Sequence, residues 1–223
     1  MRLGFVLVVL ILFNLLTPTT FANGGEAIQA NTKSSDLETP DLMSWICQGN
    51  QFYYQGEYSK ALNNYESALE IDPSNSLALK CKGWTLQTMG RPEDAIESYE
   101  KVIDIDPMDY YAWINKGGAF YDQGKYEDAI EYYDNAIELD QSNPYAWNAR
   151  GAASASLGNH EEALEYYEKA LKLDPNYCLA LNNKANSLIV LGRNIEAQNE
   201  LDKARNLGEN GCVNYGGLPP MDS

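Results

Sequence analysis

Four nine-residue stretches, "SALEIDPSN" from Ser67, "KVIDIDPMD" from Lys101, "NAIELDQSN" from Asn135 and "KALKLDPNY" from Lys169, each begin 34 residues after the last. Aligned on that period, two columns hold without exception in five copies. One is Ala61, Ala95, Ala129, Ala163 and Ala197; the other is Gly56, Gly90, Gly124, Gly158 and Gly192. Gly49, Gly83, Gly117 and Gly151 form a third column, followed by Ala185, and Tyr65, Tyr99, Tyr133 and Tyr167 a fourth, followed by Leu201. A unit this small cannot bury both of its faces alone. It has to stack on its neighbours, so the expected fold is a solenoid.

The physics of one copy is legible in residues 110–139. Apolar residues from Tyr110 to Asp122 fall three and four apart, as on an amphipathic helix. Gly124 permits the positive φ that ends it, and a second periodic stretch runs from Glu127 to Leu139. Two short helices joined by a tight turn make an antiparallel hairpin. The small residues Gly117, Ala129 and Ala136 are expected to let the two backbones approach. Trp113, Phe120 and Tyr133 are expected to fill the space between one hairpin and the next. At the junction, Ile71 reads as the last buried residue of a second helix, and Pro73 drives Asp72 out of α geometry. Asn75, Asp109 and Asn143 can then N-cap the helices that follow.

The order Trp, Gly, aromatic, Ala, aromatic, Ala, Pro at this spacing resembles the tetratricopeptide repeat family. The resemblance covers residues 42–211 as five copies: 42–75, 76–109, 110–143, 144–177 and 178–211. It departs at Gln141, where Pro is usual, and in the fifth copy at Ala185, Leu201 and Glu209. It implies an all-α, right-handed superhelical solenoid of antiparallel helix hairpins. It also implies that the first helices line a concave groove that binds peptides. On that assignment the groove holds Tyr53, Tyr54, Trp84, Tyr111, Tyr121 and Tyr145 with Asn50, Asn115, Asn148, Asn182, Asn183 and Asn186, and only Lys80 and Asp122 are charged. The convex back collects Asp94, Glu97, Asp128, Glu131, Glu138, Glu162 and Glu165. Rings and amides together suit an extended peptide, since each Asn can both donate to and accept from a backbone. The carboxylate clamp some family members use is not supported. Lys80 and Asn115 match it, but Trp84, Tyr145 and Ala149 do not.

Charge and missing motifs narrow the chemistry. A net charge of −16 and a pI near 4.3 exclude a nucleic-acid footprint. His160 is the only histidine, so neither a histidine metal cage nor a Ser/His pair is easily built. There is no GxxxxGK[ST] run, and "DIDPMD" lacks EF-hand spacing. No active site, metal or cofactor is expected. Cys47 and Cys81 share a column and are expected to be unpaired thiols, because equivalent residues of stacked helices lie too far apart for a bridge. Whether Cys178 and Cys212 pair is left open.

The ends read separately. Residues 1–22, apolar from Leu3 to Leu16 and ending at Ala22, read as a secretory signal peptide. The alternative is an anchor formed by residues 3–21. Residues 23–41 read as a flexible leader and 212–223 as a C-terminal tail. The expectation is a secreted or cell-envelope, non-catalytic scaffold binding another protein or peptide, with contact to a membrane only if the N-terminal segment stays. The rivals are a membrane-tethered assembly factor for an envelope complex and a glycan or small-ligand binding module.

Overall fold

A computed structural model describes residues 41–211, with side chains through Gly208. The expected signal peptide and tail, Cys212, and the expected leader except its last residue, Asp41, which caps α1, lie outside the described residues. Among the described residues there are ten helices and no strand. They are α1 (Leu42–Tyr54), α2 (Tyr58–Ile71), α3 (Ser76–Thr88), α4 (Pro92–Ile105), α5 (Tyr110–Asp122), α6 (Tyr126–Leu139), α7 (Pro144–Ser156), α8 (His160–Leu173), α9 (Cys178–Val190) and α10 (Asn194–Gly211). Each odd helix pairs with the even helix after it, and each pair packs on the next. The result is an all-α solenoid of helical hairpins. No helix among the described residues is long and apolar enough to cross a membrane.

Every turn inside a hairpin is the same Schellman motif. In the first, Gly56 at φ 77 donates to the Tyr53 carbonyl and Glu57 donates to that of Phe52. A β-carbon on Gly56 would meet nothing within 4 Å, so glycine is there for its left-handed backbone alone. The expected caps form as well: Asn75, Asp109 and Asn143 accept from Ala78, Ala112 and Tyr145 backbone N–H groups at 2.9–3.0 Å.

Three packing expectations need correction. Gly117 makes room chiefly for a ring, since a β-carbon there would lie 2.7 Å from Cε1 of Tyr133, with the Ala129 carbonyl at 3.2 Å. Trp113 and Phe120 both stack on Tyr132 of their own hairpin, with centroids 6.1 and 4.9 Å apart. Tyr133 does cross the gap, sharing a core with Ala146, Ala149 and Ala153 of the next copy. Ile71 is more than half exposed, and Ile105 and Leu173 at the matching positions of later copies are exposed too, so the last residue of a second helix is not part of the core.

The stop signal also differs. Asp72, Asp106, Asp140 and Asp174 all adopt extended backbone, although Gln141 replaces proline after Asp140. Each Asp side chain accepts from the N–H two residues on: Ser74, Met108, Ser142 and Asn176, at 2.9–3.0 Å. These Asx turns, not the prolines, are what all four junctions share.

Candidate functional site

The first helices form the inner face. α1 touches α3, α3 touches α5, α5 touches α7 and α7 touches α9, whereas no two even helices touch. Along that face three cavities of about 250, 280 and 220 Å³ share lining residues and make one trough. Trp84, Gln87 and Asp122 belong to the first two, and Tyr121, Ala152 and Asn183 to the last two. The even helices carry the acidic residues outward, with Asp94, Glu97, Asp128, Glu131, Glu138 and Glu165 all exposed.

The thirteen expected groove residues do not behave alike. Trp84, Tyr121, Tyr145, Asn115, Asn148 and Asn183 line the central cavity, and Asn186 lines the one beyond it. Asn50 is buried and accepts a 2.7 Å hydrogen bond from the Tyr65 hydroxyl, so it serves the core. Lys80 is held by Asp109 at 2.6 Å, with both side chains largely covered. Asp109 meanwhile caps α5, so this lysine secures the α3–α5 contact and its charge is spent there. Tyr53 receives a hydrogen bond from the Trp84 indole N–H and bonds the Thr88 hydroxyl at 3.1 Å, bracing the ring that fronts the trough. Tyr54 is exposed and stands edge-on to Tyr53. Tyr111 lies on Tyr110, and Asn182 is exposed; neither lines these three cavities.

Hydrogen bonds tie the groove wall together from copy to copy. Gln87 donates to Asp122 at 2.8 Å, the Tyr121 and Ser156 hydroxyls meet at 2.9 Å, and Asn183 donates to Asn148 at 3.0 Å. Each pair is 35 residues apart, one period plus one, which places the partners side by side on adjacent first helices. Gln87, Gly118, Ala152, Leu179 and Ser187 line the trough too and were missed. The signal for Gln87 was available in its column, where it stands among Tyr53 and Tyr121. Burial, followed by the nearby Asp122 charge, raises the Tyr145 phenol above its ordinary value, so it stays a neutral donor. His160 places Nδ1 3.3 Å from the Ser187 hydroxyl, bridging copies four and five, and its ring lines the third cavity.

The cysteines divide as follows. Cys47 and Cys81 are free thiols, and burial pushes Cys81 up to about 12. Cys178 is disulfide-bonded. Among the described residues no group of three or more His, Cys, Asp or Glu is placed to hold a metal ion.

Family models described as tetratricopeptide or TPR repeats match residues 82–144, 119–177, 49–90 and 166–199, a continuous span from 49 to 199. Among solved structures, MamA is 28% identical with a TM-score of 0.62, covering 73% of this chain and 95% of its own. The pilF protein of Pseudomonas aeruginosa is 26% identical with a TM-score of 0.67, covering 78% of each chain. TTC0263, a thermophilic TPR protein of Thermus thermophilus, is 22% identical over 75% of this chain and 91% of its own, with a TM-score of 0.67; it shares the fold. No curated protein matches the chain. The 34-residue register, the hairpins it builds and the continuous run of family matches make this chain a member of the tetratricopeptide repeat family.

Proposed function

We propose that the chain is an exported, non-catalytic scaffold that holds an extended segment of another protein along the groove of its first helices. The observation that carries this is the trough itself. It runs over α3, α5, α7 and α9 without interruption, and rings and amides line it in register with the repeat. Aromatic anchors in covered pockets contribute most of the energy of such contacts, and a bound backbone finds donors and acceptors at the spacing of the copies. Export rests on the apolar run and Ala22 at the N-terminus.

Selection of a phage-displayed random peptide library on the full chain tests the groove. Trp84→Ala should weaken the selected peptides by about 2 kcal/mol. Reversal of Glu131 and Glu165 to Lys on the back should leave affinity nearly unchanged. The opposite pattern would make the acidic back the interface. Mass spectrometry of the mature N-terminus after expression in a secretion-competent host tests cleavage: a start at Asn23 fits a released scaffold, and a retained Met1 would favour the anchor formed by residues 3–21.

A further inference from the structure

We propose that the centre of the groove, between copies three and four, is a subsite for one basic side chain, lysine or arginine, of the bound segment. The proposal rests on the reading of the groove as the binding face and names what that face selects.

The tyrosine column shows where the site was opened. The Tyr65 hydroxyl donates to Asn50, fifteen residues earlier, and the Tyr99 hydroxyl donates to Gln87, twelve residues earlier, each at 2.7 Å. For Tyr133 those two positions are Gly118 and Tyr121. Its side chain is 3% exposed, yet its hydroxyl finds no hydrogen-bond partner among the described residues. Asn115, 8% exposed, has none either. Both line the same cavity of about 280 Å³. Neither group is sealed in the core, since Asn64 Oδ1 is the one buried side-chain polar atom without a partner among the described residues; both open onto this cavity, where a polar group of a ligand can reach them.

Gly118 keeps that floor open. A β-carbon there would lie 3.5 Å from Gln87 Nε2 and 3.9 Å from the Tyr133 hydroxyl, both ordinary contacts. Packing therefore does not require this glycine, whereas it does require Gly117 one residue earlier.

The charge of the site selects a cation. Asp122 stands on the cavity wall, bonded only by the uncharged Gln87 amide, and no Lys or Arg among the described residues pairs with it. It is the last residue of α5, at the negative end of the helix dipole, and no basic residue stands in that last turn to offset it. The last turns of α3 and α7, on either side, also lack a basic residue. Lys80 cannot compensate, because Asp109 holds it. A guanidinium or ammonium group would meet the Asp122 carboxylate and the ring faces of Trp84, Tyr121 and Tyr145. The Tyr133 and Asn115 oxygens would accept its N–H groups. A carboxylate would find no cation to receive it.

Amide-detected NMR of the full chain tests this with four blocked tripeptides, alanine on either side of arginine, lysine, leucine or glutamate. The arginine and lysine peptides should move the amides of Asn115, Gly118 and Asp122, and the leucine and glutamate peptides should not. Asp122→Asn should weaken the arginine peptide about fivefold or more. Gly118→Ala should weaken it as well without lowering the melting temperature, since alanine favours the helix. Arginine binding that ignores Asp122→Asn, or shifts confined to the acidic second helices, overturns the subsite. If the leucine peptide moves the same amides equally and ignores Asp122→Asn, the groove reading stands and the basic subsite falls. If none of the four moves these amides, the subsite falls and the library selection judges the groove by itself.

Discussion

A β-carbon built on Gly83 would sit 2.6 Å from Cε1 of Tyr99, and its three nearest atoms are all in that ring. The same pairing recurs at Gly49 with Tyr65, Gly117 with Tyr133 and Gly151 with Tyr167. In the fifth copy both members change, and Ala185 packs in one cluster with Leu201. A methyl group and a tyrosine ring compete for the same volume, so the chain has one or the other. Gly83→Ala should therefore cost about 1–3 kcal/mol through overpacking. Adding Tyr99→Leu to that variant should recover part of the loss, and urea midpoints of the two single variants and the double would show it. Strict additivity would mean the ring is not what the glycine makes room for.

At the level of the element, one turn chemistry is repeated at each junction and one ion pair at each interface. Lys82 reaches Glu66, Lys116 reaches Glu100, Arg150 reaches Asp134 and Lys184 reaches Glu168, at 2.9–3.2 Å and always sixteen residues back in the preceding copy. Lys116 and Arg150 also set their charged groups over the rings of Tyr132 and Tyr166, so each head meets a ring of its own copy and a carboxylate of the preceding one. The junction turns carry a pH signature. Hydrogen bonds from the Ser74 hydroxyl and N–H hold the Asp72 carboxyl below its ordinary value of 3.8. A depressed folded-state value adds stability above the unfolded value and loses it as pH falls through the folded one. The gap in urea midpoint between the parent chain and Asp72→Ala should be complete near neutral pH and shrink below pH 3.8. A gap that stays constant into acid would show that the turn does not depend on the charge of the carboxylate.

On the scale of the whole molecule, each copy contacts only the copies before and after it. Stability is then a sum over copies and interfaces, and the ends have one interface fewer. α10 is the most polar of the helices, exposes Ile195 almost fully and breaks helical geometry at Gly208. Hydrogen exchange should find the slowest amides in copies three and four and the fastest in α1 and α10. Uniform protection from Trp45 to Leu207 would mean that the array opens as one unit. The net charge of −16 belongs to this scale as well, because it favours encounter with a basic segment before any groove contact forms.

The number of hairpins, their turns and the caps of α3, α5 and α7 were legible in the sequence, because each depends on residues within a few positions of one another. Gly124 after Asp122, or Asn75 before Ser76, acts locally and needs no partner from another copy. The roles of the groove amides were not legible. Asn50, Asn115 and Asn148 look alike on a helical face, yet the first serves Tyr65, the third is tied to Asn183, and the second is open. Likewise Lys80 looked like a free groove cation until Asp109, a cap on the next first helix, proved to hold it. Helix periodicity is set within one copy. Whether a polar group is satisfied is set by what the neighbouring copy brings against it, and only the stacked structure decides that.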